Sequence, residues 1–174
     1  GPAGVGKSHL LQAACGAAHA PERPVAYLPL TQALHFGPDL LQDLETMTLV
    51  CLDDLHCLAG QALWEEALFD LYNRIREAGA RLLVSADRPL AQLPTRLPDL
   101  ASRLAWGVRL GLQAPADEDK QEVLQQRALS LHIELPDEVC SYLLKHGRRD
   151  MASMLETVEK MKDAAFAAKR KITV

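Results

Sequence analysis

Gly1-Pro2-Ala3-Gly4-Val5-Gly6-Lys7-Ser8 opens the chain and fits the pattern G-x-x-x-x-G-K-S/T. That pattern is the phosphate-binding P-loop: its glycines let the backbone fold tightly about a phosphate and aim successive N–H groups at it. The apolar residues Leu10, Leu11, Ala13 and Ala14 follow at once and predict a helix starting near Lys7, whose positive dipole end adds to the anion site. Lys7 is then placed to reach the β- and γ-phosphates, and the Ser8 hydroxyl to ligate Mg²⁺. Gly1, Gly4, Val5, Gly6, Lys7, Ser8 and His9 form the expected cradle for ATP or ADP. A P-loop ordinarily follows a buried strand and nothing precedes Gly1, so the sequence reads as a fragment of a longer chain.

Thr48-Leu49-Val50-Cys51-Leu52-Asp53-Asp54 is the second informative stretch. A continuous apolar run of strand length suits a parallel strand buried on both faces. It ends in two acids, the Walker B pattern, in which Asp53 is expected to hold the Mg²⁺ water shell and Asp54 to orient the attacking water. Arg81-Leu82-Leu83-Val84-Ser85-Ala86-Asp87 repeats the design, and strands alternating with helices predict an α/β core with a parallel sheet. Ligands in such sheets gather at the carboxyl ends of the strands, which puts Ser85 and Asp87 on the rim that carries the P-loop and Asp53. Asp87 lies near the γ-phosphate or caps the Arg88-Pro89 turn; an acid beside phosphate needs Mg²⁺ or an arginine between them.

Between these strands, Val25-Ala26-Tyr27-Leu28 reads as a short buried strand and Gln61 to Arg76 as an amphipathic helix closed by Gly79. Leu63, Ala67, Leu68, Leu71, Tyr72 and Ile75 are its expected inner face, Glu65 and Glu66 lie largely opposite, and Trp64 packs beside the stripe. Leu97 to Leu104 predicts a short helix carrying Arg103, which its spacing pairs with Asp99 four residues back. Val108 to Leu112 reads as the last core strand. From Ala114 the texture is helical only, which divides the chain into an α/β core at 1–113 and a helical lid at 114–174. Asp117 opens the first lid helix (Val123, Leu124, Ala128, Leu131 inward), Pro136 starts the second, and Asp150 caps the third, with Met151, Met154, Leu155, Val158, Met161 and Ala165 inward. Ile172-Thr173-Val174 reads as the start of a strand or tail.

The net charge of −4 argues against a general nucleic-acid binder, no direct sequence-specific DNA binding is expected, and Lys169-Arg170-Lys171 is read as a solvated helix end. The four cysteines show no C-x-x-C pairing, and buried reduced thiols in a cytoplasmic protein are the expectation. His56-Cys57 lacks a second pair to complete a zinc set. No apolar run reaches the roughly 18 residues of a membrane helix.

P-loop, Walker B acids, polar-ended strand, arginine-bearing helix and helical lid together resemble the AAA+ ATPases. Asp53-Asp54, Ser85-Ala86-Asp87-Arg88-Pro89 and Leu100-Ala101-Ser102-Arg103-Leu104-Ala105-Trp106-Gly107 are similar to the ATPase domain of the DnaA family. The helix Leu63-Trp64-Glu65-Glu66-Ala67-Leu68-Phe69-Asp70-Leu71-Tyr72-Asn73-Arg74, with Leu97 to Leu104 and Glu134-Leu135-Pro136, resembles the Hda-type regulators within it. The resemblance implies a regulator that, with the DNA-loaded sliding clamp, stimulates hydrolysis of ATP bound to the DnaA initiator and so prevents a second round of replication. It implies clamp contact through an N-terminal segment that the sequence lacks, and a homo-oligomer. It makes Arg103 the finger completing a partner's site, in place of a surface arginine paired to Asp99. The alternative is the ATPase core of the initiator itself. In the family an arginine in the first turn of the third lid helix touches nucleotide; Ala152 stands there, Arg148 and Arg149 precede it, and weak hydrolysis of the chain's own nucleotide is expected.

Overall fold

The computed structural model describes residues 4–89, 92–147 and 150–168. They fall into two compact units, one holding Gly6–Leu112 and the other Gln113 onward, with Gly4 and Val5 grouped in the second. Gly1, Arg148, Arg149, the basic run at 169–171 and the expected tail at 172–174 lie outside the described residues.

The first unit is built on three parallel strands in the order β1-β2-β3. They are β1 (Val25–Pro29), β2 (Leu49–Asp53) and β3 (Arg81–Val84). Every residue of the central β2 is buried, as its unbroken apolar run requires. Alternation along β2 decides what each face meets. Val50 and Leu52 join Leu30, Leu41, Leu68, Leu71 and Leu100 in the larger core, whereas Leu49 and Cys51 pack with Leu11 and Cys15 of helix α1 (Lys7–Ala18). Asp53 continues the parity of Leu49 and Cys51, so it ends β2 on the side where α1 begins. Two 3₁₀ turns and the short α2 (Leu30–Ala33) join β1 to β2, and α3 (Ala62–Ala78) joins β2 to β3. Gly79 ends α3 at φ 71°, a left-handed conformation that a side chain would resist.

The inner stripe of α3 differs from the expected one. Trp64, Leu68, Leu71 and Ile75 are buried, while Leu63 is 70% exposed and Glu65 only 1%. The stripe is centred on position 64, which leaves Leu63 on its flank, and Glu65 is buried because its carboxylate finds backbone donors. β3 ends at Val84, earlier than expected, though Ser85 still donates its N–H to Leu52 O at 3.0 Å and accepts from Leu55 N–H at 2.8 Å. Val108–Leu112 is not a strand: among the described residues nothing pairs with it, and Val108 and Leu110 are left exposed. Alternating apolar residues make a strand only when a ladder receives their backbone groups. Helix α4 (Pro98–Ala105) forms where expected and seats Leu100 and Leu104 in the larger core.

The second unit packs α5 (Asp117–Ser130), α6 (Asp137–His146) and α7 (Met151–Ala168) around Leu124, Ala128, Val139, Cys140, Leu143, Met154 and Val158. Val123, expected inward, lies at the outer edge of the α5 stripe and is exposed. Asp150 caps α7 by accepting the Ser153 N–H at 2.9 Å, and Ala152 sits exposed in that first turn. No helix among the described residues is long and apolar enough to cross a membrane.

The two flanks of α3 give a paired test. Leu68→Ala is expected to lower unfolding free energy by about 2–5 kcal/mol. Leu63→Ala is expected to change it by less than about 0.5 kcal/mol, both read by denaturant titration.

Candidate functional site

Helix α1 starts at Lys7 directly after Gly6, which holds φ 91° and ψ 14°, a conformation open to glycine at little cost. The helix has no side-chain cap and no acid in its first turn. Its N-terminal N–H groups and dipole end are therefore directed toward the turn at Gly6, an arrangement suited to an anion. Lys7 is half-buried, and Ser8 and His9 are exposed beside it.

The Asp53 carboxylate lies across from this helix start and is 3% exposed. The Tyr27 phenol donates to its Oδ2 at 2.8 Å, and the Ser85 hydroxyl donates to its Oδ1. Burial alone would raise the Asp53 pKa, but hydrogen bonds from Ser8, Ser85 and Tyr27 and the Asp54 backbone hold it below the usual carboxylate value. Tyr27 responds in the opposite sense: burial first, then its bond to Asp53, raises the phenol. Four elements thus converge on one group, with Ser8 from α1, Tyr27 from β1, Asp53 from β2 and Ser85 from the end of β3.

Asp54 turns the chain away from β2 in the left-handed region, at φ 61° and ψ 49°, a conformation that Asp tolerates better than most residues. Its N–H donates to Ser85 Oγ at 3.0 Å, which fixes that turn to the neighbouring strand end. His56 follows, with Nδ1 3.9 Å from Asp54 and 3.8 Å from Asp87. Arg88 grips Asp87 through two hydrogen bonds of 2.8 and 2.7 Å. That bond, with the charges of His56, Arg88 and Lys7, holds the Asp87 carboxyl at about 2. The arginine that an acid in this place requires is thus its own neighbour, and the same contact fixes the Arg88-Pro89 turn.

These residues fit a magnesium nucleotide. Mg²⁺ keeps several waters and takes one or two protein oxygens. The Ser8 hydroxyl and Asp53 carboxylate form such a pair, next to an uncapped helix start. No cluster of three or more His, Cys, Asp or Glu is arranged for a metal among the described residues. Burial and the adjacent Cys15 push the Cys51 thiol up to about 12, and burial with the Asp54 and Asp87 charges raises that of Cys57.

Arg103 belongs to a second constellation. Its guanidinium lies 5.8 Å from the Phe69 ring centroid and 5.3 Å from that of Trp106, with Arg76 5.2 Å from the same Trp106 ring. A cleft of about 260 Å³ is lined by Asn73, Arg76, Glu77 and Arg103. Arg103 makes no ion pair with Asp99 among the described residues; aromatic faces hold it instead. Sequence reasoning missed Tyr27 and His56. Tyr27 lies opposite Cys51 in the β1–β2 register, so its side chain shares the face of Cys51 and Asp53, a signal legible only once the register is known.

A family model described as the bacterial DnaA ATPase domain matches residues 1–111. The chain belongs to that family. A second model, the lid domain of Hda, matches residues 117–174, so this is a DnaA/Hda-like AAA+ protein. Domain III of the Thermotoga maritima replication initiation protein DnaA superposes with a TM-score of 0.85 at 21% identity, over 99% of this chain and 77% of that one. AMPPCP-bound DnaA from Aquifex aeolicus gives 0.74 at 22%, over 96% and 55%. The Thermotoga maritima RuvB Holliday junction branch migration motor gives 0.72 at 16%, over 99% and 56%, and shares the fold. The chain thus spans about three quarters of DnaA domain III and little more than half of the longer relatives.

A depressed Asp53 pKa contributes stability that is present above the unfolded value of about 4 and is lost as pH falls through the folded value. Ser85→Ala removes one cause of that depression and is expected to cost about 1–3 kcal/mol near neutrality. The gap in melting temperature between the two proteins should stay constant from about pH 8 to pH 5 and narrow below about pH 4. A gap that widens on acidification contradicts this assignment.

Proposed function

We propose that the chain is a nucleotide-binding regulator that acts on ATP held by the DnaA initiator, together with the DNA-loaded sliding clamp, and thereby prevents re-initiation. The observation that carries this reading is the joining of a DnaA-type ATPase core to an Hda-type lid. ATP or ADP binds at Gly1, Gly4, Val5, Gly6, Lys7, Ser8 and His9, with Asp87 toward the γ-phosphate and Ser8 and Asp53 toward Mg²⁺. AMPPCP bound to the Aquifex aeolicus relative supports a nucleotide in this fold. Mg²⁺, when bound, neutralises charge on the β- and γ-oxygens. Asp54 orients a water in the chain's own site, whose turnover is weak with Ala152 in place of the lid arginine.

Arg103 acts in trans. A guanidinium against the γ-phosphate of the partner's ATP stabilises charge that develops during transfer, an effect of about 10³–10⁵ in rate in other NTPases. Its aromatic seat on Phe69 and Trp106 supports this role, because a carboxylate partner would have to be given up on docking. The sliding clamp is a partner in this reaction. The protein works in the cytoplasm as a homo-oligomer and without reading DNA sequence itself.

The test is phosphate release from ATP-loaded DnaA mixed with the full-length protein and DNA-loaded clamp. Wild type should accelerate release, and Arg103→Ala should lose about 10³-fold of that acceleration while keeping its own nucleotide affinity. Absence of acceleration, with sequence-specific binding of origin DNA instead, would establish the second reading, the ATPase core of an initiator.

A further inference from the structure

Glu65 places its carboxyl group in the core of the first unit, 1% exposed, and makes none of the hydrogen bonds gathered on Asp53. Among the described residues its hydrogen bonds come from backbone N–H groups. Gly60 donates to Oε1 at 2.6 Å, and Arg96 and Leu97 donate to Oε2 at 2.7 and 3.0 Å. Gly60 ends the segment that leaves Asp54, and Leu97 is the N-cap residue of α4. One carboxylate therefore ties the chain leaving β2 to the start of the helix that bears Arg103.

The start of α4 packs Leu97 against the larger core, which also holds Leu93, but no side chain caps it. Leu97 offers no side-chain cap, and Pro98 at the first helical position has no N–H. The Glu65 oxygens also face the positive end of the helix dipole. The helix has 8 residues and its Leu100 and Leu104 are buried, so packing holds its inner face while Glu65 holds the backbone N–H of its N-cap residue. An acceptor-only group is required: a carboxamide presents one oxygen and turns an NH₂ toward N–H groups that need an acceptor. Arg103 follows Leu97 by six residues, about 9 Å along the helix, so a shift at the anchor is carried to the guanidinium.

We infer that Glu65 is the positioning residue for Arg103, setting the placement of α4 on which the reaction at a partner's ATP depends. This inference rests on the proposed function. A displacement of about 1 Å at such a group can cost about 10²-fold in rate without touching the reacting atoms.

The experiment uses the full-length chain carrying Glu65→Gln, with ATP-loaded DnaA and DNA-loaded clamp, and varies the concentration of the chain. The maximal rate of phosphate release should fall by about 10²-fold. The half-saturating concentration and the chain's own ATP affinity should stay as in wild type, a split that loss of folded protein does not produce. Hydrogen exchange should quicken at the amides of 99–105 and not in α1 or β2. If Glu65→Gln does not fold, Glu65→Asp keeps the carboxyl group, withdraws it by one methylene, and is read in the same way. A variant with the wild-type maximal rate, or with unchanged exchange in α4, overturns the inference alone. A wild-type chain that stimulates nothing overturns the proposed function and this inference with it.

Discussion

A carboxylate buried at the end of the central strand governs the first unit. Leaving Asp53 ionised at 3% exposure costs several kcal/mol unless its oxygens are satisfied. Tyr27 and Ser85 supply hydrogen bonds from the neighbouring strands, and Ser8 from the first turn of α1. Each donor can meet Asp53 only if β1, β2 and β3 hold their parallel register and α1 lies on the face shared by Leu49 and Cys51. The polar cluster and the apolar packing of Leu11, Cys15, Leu49 and Cys51 therefore specify the same geometry.

Two buried acids in this unit are satisfied by different chemistry. Asp53 accepts mainly from hydroxyls, which rotate and can turn to another acceptor when a cation takes the carboxylate. Glu65 accepts, among the described residues, from backbone N–H groups, which cannot turn without moving their segments. The first arrangement suits a site that exchanges partners, and the second suits a fixed joint. Arg103 is held in a third way, over the faces of Phe69 and Trp106, where Arg76 shares the Trp106 ring. Charge kept on aromatic faces stays available to an incoming phosphate.

Features carried by contiguous residues were legible in the sequence. The P-loop pattern, the apolar run of β2 with its two acids, the glycine that ends α3 and the α4 segment need no distant partner to be recognised. Features created by long-range pairing were not. Glu65 reads as a surface acid because the donors that bury it include Arg96, 31 residues away. Val108 to Leu112 alternates like a strand, yet extended backbone becomes a strand only through a neighbour's hydrogen bonds. Leu63 was assigned inward because periodicity gives a helix face but not the rotation that packing finally selects. His56 lay beyond reach, since its position between Asp54 and Asp87 depends on the left-handed turn at Asp54 and on the end of β3.

If Asp53 and Ser8 hold Mg²⁺ against a bound nucleotide, as proposed, ATP affinity depends on the cation. Calorimetric titration of ATP into the protein tests it most directly, with Mg²⁺ and again with EDTA, for wild type and Asp53→Asn. Wild type should bind ATP more tightly with Mg²⁺, and Asp53→Asn should lose this increment while keeping the affinity seen in EDTA. Equal affinity with and without Mg²⁺ in wild type, or an increment that survives Asp53→Asn, would contradict it.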